Sequence, residues 1–112
     1  MTRGDWLGEF EQVVLLAVAQ LGADGYGLTI LREIEDRTGR RVSVGAVYAT
    51  LLRLEEKGYV GSRQGEVTAR RGGRAKRHYR LTRAGERALA TTRQMLDRMW
   101  EGVKVDARTG RA

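Results

Sequence analysis

The chain has no cysteine, no proline and a single histidine. Without thiols, neither a disulfide framework nor a thiolate metal site can form. One imidazole would leave a protein-only zinc site resting almost wholly on carboxylates. No phosphate-cradling glycine loop leads into a helix, and no paired-carboxylate or nucleophile–base pattern is legible. The chain is therefore expected not to be an enzyme and to need no cofactor and no metal. No apolar run approaches the roughly 20 residues that span a bilayer, and the N-terminus lacks the basic start of a signal peptide. A cytoplasmic protein with no membrane partner is expected.

What is present is positive charge, unevenly spread. The 112 residues carry a net charge of +7. Residues 1–38 hold three basic and seven acidic side chains, residues 39–81 eleven and three, and residues 82–112 seven and four. The excess sits in the middle third, which suggests a polyanionic partner met by that part of the molecule. The length is that of one modest domain, for which oligomerisation is a natural supplement.

The middle third opens on SVGAVYATLLRLEEKG, residues 43–58. Val47, Leu51 and Leu54 recur at helical spacing, which predicts one buried stripe. Ser43 is placed to cap the N-terminus and Gly58 to end the helix in a left-handed turn. Turned away from the stripe are Gly45, Ala46, Tyr48, Ala49 and Arg53. This small-residue face can approach a groove closely, as a DNA-recognition helix does.

Upstream, Asp5 can cap a helix running from about Trp6 to Leu21. Its apolar residues, among them Trp6, Phe10 and Val14, wrap more than one face, so cover from a second subunit is expected. A second helix is expected from about Tyr26 to Thr38, with Leu28, Leu31 and Ile34 inward and Ile30 flanking. A compact connector then leads into residues 43–57, the order of a helix-turn-helix. Downstream, residues 59–63 and 76–81 read as strands of a hairpin. Arg70, Arg71, Arg74, Lys76 and Arg77 crowd five cations into eight residues at its tip, which suggests a phosphate clamp. His78 reads as a surface or packing residue, and Tyr79 and Leu81 as core.

From Thr82 a long helix is expected to about Val105, roughly 36 Å at about 1.5 Å per residue. Leu89, Thr92, Leu96, Met99 and Val103 recur every three to four residues, a seam for another helix. Self-association would cover it. The fold expected is mainly α with a small β-hairpin: a winged helix-turn-helix domain over 1–81, a C-terminal dimerisation helix over 82–105 and a disordered polar tail over 106–112.

The stretches YGLTILREIEDRTG, VSVGAVYATLLRLEEKGYV and RGGRAKRHYRLTRAGERAL, in this order and spacing, resemble the PadR family of bacterial transcriptional regulators. The short part after Ala90 is similar to the subfamily that dimerises through one C-terminal helix. The family often has proline where Val44, Ala49 and the wing residues Gly72, Gly73 and Ala75 stand here. The resemblance implies a homodimeric repressor of double-stranded DNA. It implies that Tyr48 contacts the DNA backbone and that Arg74, Lys76 and Arg77 lie near phosphate. It also implies a planar hydrophobic effector bound between the C-terminal helices, which here would meet Leu96, Met99 and Trp100. Ser43, Tyr48 and Arg53 are the polar groups on the helix able to meet DNA. Two alternatives remain open: a small-molecule sensor built around Trp100, and a winged-helix module that binds protein or RNA.

Overall fold

The computed structural model describes residues 6–67 and 75–105. Arg70, Arg71 and Arg74 of the expected clamp, the expected N-cap Asp5 and the expected tail 106–112 lie outside the described residues.

The first helix, α1 (Glu9–Leu21), begins three residues later than expected. Gly8 holds an extended conformation at its N-cap, and the Gly8 N–H donates to the Glu11 carboxylate at 2.9 Å. That carboxylate folds back over the first turn, where negative charge favours the helix dipole. Trp6 therefore precedes the helix, in a bend, and is partly exposed. A short 3-10 turn, Gly22–Asp24, leads to α2 (Gly27–Thr38). Its buried face is Gly27, Ile30 and Ile34. Leu28, expected inward, is exposed, and Ile30, expected to flank, is fully buried. The helix starts at Gly27, so the i, i+3, i+7 stripe falls on 27, 30 and 34.

Helix α3 (Val44–Glu56) follows the expected bounds closely. Ser43 Oγ accepts from the Ala46 N–H at 3.1 Å, and Val47, Leu51 and Leu54 are buried with Thr50. At the other end Gly58 takes φ +80°. The Tyr59 N–H donates to the Leu54 carbonyl and the Gly58 N–H to the Glu55 carbonyl, both at 2.9 Å. This is a Schellman closure, and it needs the left-handed residue that glycine supplies without a Cβ clash.

Strands β1 (Val60–Val67) and β2 (Ala75–Leu81) form an antiparallel hairpin, with Val60 opposite Leu81 and Arg63 opposite His78. The other edge of β2 meets the α1–α2 connector. The Tyr79 N–H donates to the Gly25 carbonyl at 2.7 Å, and Tyr26 bridges His78. The hairpin is thus held to the helical core at its base. Tyr79 is buried and Leu81 packs against the core, as their pattern predicts.

Helix α4 (Arg83–Trp100) is capped by Thr82, whose Oγ1 accepts from the Gly85 N–H and donates to the Gly58 carbonyl at 2.6 Å. Gly85 lies against the Tyr59 carbonyl, where a Cβ would stand 2.2 Å from the oxygen. The helix ends at Trp100 and not near Val105, because Glu101 leaves the helical conformation and Gly102 turns left-handed at φ +79°. Its 18 residues span about 27 Å. α4 packs back on α1, and one core gathers Val14, Leu15 and Val18 of α1, Ile30 and Ile34 of α2, and Val47, Leu51 and Leu54 of α3.

Candidate nucleic-acid interface

Burying one stripe of α3 leaves its N-terminal half facing outward. Ser43, Gly45, Ala46, Tyr48 and Ala49 are all exposed, as is Arg53. So are Val44 and Leu52, which the sequence reading did not single out. Val44, Tyr48 and Leu52 stand at i, i+4 and i+8, a narrow apolar stripe that flanks the buried one. Tyr48 is 47% exposed, and its ring lies across the first turn of α2. A Cβ at Gly27 would come within 2.1 Å of Tyr48 Oη. Glycine at the start of α2 therefore sets where the phenol of α3 rests.

Arg53 points elsewhere. Its guanidinium donates to Thr50 Oγ1 at 3.1 Å and lies 4.0 Å from Glu11 of α1. Lys57 pairs with the same carboxylate at 2.9 Å. Burial raises the pKa of Glu11, but the Gly8 N–H, the Lys57 ammonium and the Arg53 guanidinium outweigh it and hold the carboxyl below its ordinary value. Glu9 receives both hydrogen bonds from Arg40, at 2.7 and 2.8 Å, and Arg40 lies over the Phe10 ring at 5.1 Å. The acidic start of α1 thus neutralises the cations nearest to it on α3 and on the connector before α3.

Cations of the hairpin are differently placed. Among the described residues, neither Lys76 nor Arg77 has a carboxylate within ion-pair distance. Lys76 Nζ donates to Tyr26 Oη at 3.2 Å and lies over the Tyr26 ring, which meets His78 edge-on. Arg77 is exposed on the opposite face of β2 and lowers the pKa of Tyr79, though burial keeps that phenol above its ordinary value. Tyr26 was not legible as part of this group. Its partners lie half the chain away, and no local pattern marks it.

The residues expected at a dimer seam divide. Val14 is 0% and Thr92 1% exposed within the single chain, so neither is free to meet a second copy. The reason is that α4 folds back on its own α1 and buries Ala88 and Thr92 there, leaving the Thr92 hydroxyl without a hydrogen-bond partner among the described residues. Phe10 and Leu89 are half-buried against the core, whereas Trp6, Leu96, Met99, Trp100 and Val103 are exposed. Leu16, inside the apolar run of α1 but not singled out, is half-exposed. Between α1 and α4 lies an open groove of about 670 Å³, walled by Leu16, Leu89, Leu96 and Trp100 and rimmed by Gln12 and Arg93. Met99 lies off the groove on the outer side of α4. No helix among the described residues is long and apolar enough to cross a membrane.

The profile of the transcriptional regulator PadR-like family matches residues 15–91. The transcriptional regulator Rv3488 of Mycobacterium tuberculosis is 39% identical over 94 residues, covering 81% of this chain and 83% of that protein. A PadR family transcription regulator from Clostridium difficile superposes with a TM-score of 0.60 at 26% identity, covering 80% of this chain and 94% of the other. A PadR-like transcription factor from Bacteroides fragilis shares the fold with a TM-score of 0.69 at 22% identity, covering 82% and 84% of the two chains. The family is one of DNA-binding regulators and not of enzymes. With the helix-turn-helix, the hairpin and the matched span in agreement, the chain belongs to the PadR-like family of transcriptional regulators.

Proposed function

We propose that the chain acts as a homodimeric repressor, with α3 of each protomer in successive major grooves about 34 Å apart. The observation that carries this is the exposed small face of α3 together with the hairpin cations Lys76 and Arg77, neither of which has a carboxylate within ion-pair distance among the described residues. In this reading Gly45, Ala46 and Ala49 let the helix seat deeply, and Ser43 and Tyr48 meet the backbone. Arg53, already engaged by Glu11 and Thr50, contributes least. Phosphate contacts supply most of the affinity, and base readout is modest because α3 exposes few groups able to pair with a base edge. Residues 1–81 would form the DNA-binding unit, and the C-terminal helix within 82–105 would join two of them.

The apolar groove between α1 and α4 supports the effector half of the proposal. A planar hydrophobic compound seated on Leu96 and Trp100, at the seam between protomers, would bias the spacing of the two α3 helices. The test is a salt titration of binding to DNA from upstream of the protein's own gene. Arg77→Ala is expected to weaken operator and random duplexes alike and to lower the salt slope by about one. A sequence-selective loss with an unchanged slope would remove Arg77 from the backbone grip. Quenching of tryptophan fluorescence by a planar cationic dye, lost in Trp100→Ala, tests the effector site; equal quenching in both proteins would sink it. A second reading, docking of a protein partner on α3, draws support from the exposed Val44, Tyr48 and Leu52 stripe. It predicts no shift of duplex DNA even at low salt.

A further inference from the structure

The outer face of the hairpin carries groups that this grip does not use. Gly61 pairs with Arg80 and Arg63 with His78, so these four residues share one face of the ribbon. Val60 and Tyr79 occupy the other face and are buried in the core. Two glycines of β1 give the outer face its form. A Cβ at Gly61 would stand 1.9 Å from a guanidinium nitrogen of Arg80, and one at Gly65 would stand 3.1 Å from the His78 ring. The Arg80 guanidinium therefore lies across β1 in the space that a side chain at position 61 would fill, and the His78 ring packs closely on Gly65.

Arg63 sits between them, and the α1–α2 turn at Gly22 and Ala23 closes one side to leave a cleft of about 330 Å³. His78 Nδ1 is 3.2 Å from the Ala23 carbonyl, which fixes the ring against that wall. Among the described residues, neither Arg63 nor Arg80 has a carboxylate within 4.0 Å. As diagonal neighbours on one face their backbones are about 7–8 Å apart. Both guanidinium groups line the same cleft with no carboxylate beside them among the described residues, an arrangement that an anion seated over both would neutralise. Lys76, on the same face, continues the row toward the hairpin tip.

We propose that Arg63 and Arg80 bind phosphates of duplex DNA beyond the segment gripped by α3 and the hairpin tip. This rests on the DNA-binding reading and extends it. The duplex favoured here is continuous with the one under Lys76 and curves back along the hairpin, so the surface reads deformability of flanking DNA and not its bases.

The test compares two duplexes of upstream DNA with a common centre, one of about 20 base pairs, two helical turns, and one of about 40. For the wild-type protein the salt slope is expected to be steeper on the longer duplex. In the Arg63→Gln/Arg80→Gln double variant that excess is expected to vanish, a change of about two per protomer. Binding to the short duplex is expected to stay unchanged, which also reports that the variant folds. Equal wild-type slopes on the two lengths would overturn the proposal, as would a double variant weakened alike on both. Failure of the wild type to bind even the short duplex would count against the DNA-binding reading itself. Normal short-duplex binding without a length effect would remove the flanking contact alone.

Discussion

Gly27 and Gly85 are both buried, yet an added methyl group meets different obstacles at each. At Gly85 it would stand 2.2 Å from the Tyr59 carbonyl oxygen and 2.7 Å from a Leu81 methyl. The start of α4 would have to lift off the α3–β1 turn to which Thr82 ties it. Gly85→Ala is expected to lower stability by about 1–3 kcal/mol, read by chemical denaturation. At Gly27 the obstacle is the end of the half-exposed Tyr48 side chain, which can swing away. Gly27→Ala is expected to change stability by less than about 1 kcal/mol, since alanine is the better helix former, while weakening DNA binding as Tyr48→Ala does. A larger stability loss at 27 than at 85 would contradict this account. Thr92 offers the converse case. Its hydroxyl is buried and has no hydrogen-bond partner among the described residues, so Thr92→Val is expected to raise stability by about 1 kcal/mol in the same denaturation experiment.

At the scale of elements, α1 is the strut on which the helix-turn-helix is hung. Its first turn holds Arg40 through Glu9 and both Lys57 and Arg53 through Glu11. Glu11 has a pKa lowered from the ordinary 4.5 in the folded chain. A depressed carboxyl contributes stability above its unfolded pKa, and that contribution is lost as pH falls through the lower folded value. Glu11→Gln is therefore expected to cost about 1 kcal/mol at neutral pH. The gap from wild type should close on acidification below the carboxylate range, in thermal melts across pH. A gap that stays constant in acid would show that packing, and not charge, is what Glu11 supplies.

At the scale of the molecule, α1 and α4 expose apolar side chains on either side of one open groove. Leu16 is half-exposed and borders two concavities, the groove toward α4 and a smaller one of about 170 Å³ toward α2. Leu96 and Trp100 extend the same surface along α4. Leu16→Glu is expected to leave the fold intact, because the side chain already meets solvent, and to yield a monomer in sedimentation. DNA affinity is expected to fall by at least about tenfold, since two linked half-site contacts become one. A dimer that persists in this variant would place the seam elsewhere.

The bounds of α3 were legible in the residues because they are set within a turn or two of chain. Ser43 caps its own third peptide, and Gly58 supplies its own left-handed turn. Val47, Leu51 and Leu54 mark one face by period alone. The two strands of the hairpin were legible for the same reason. The extent of α4 was misjudged where its apolar period runs on past Gly102, a backbone stop that the period does not register. Tertiary structure alone decided which partners the cations meet. Arg40 meets Glu9 across 31 residues, Lys57 meets Glu11 across 46, and Lys76 meets Tyr26 across 50. It also decided that Val14 and Thr92 face inward and Leu16 outward, since an all-round apolar helix does not say which side its own chain will cover. Local chemistry shaped the recognition helix; the packing of α1 against α3 and α4 determined what surrounds it.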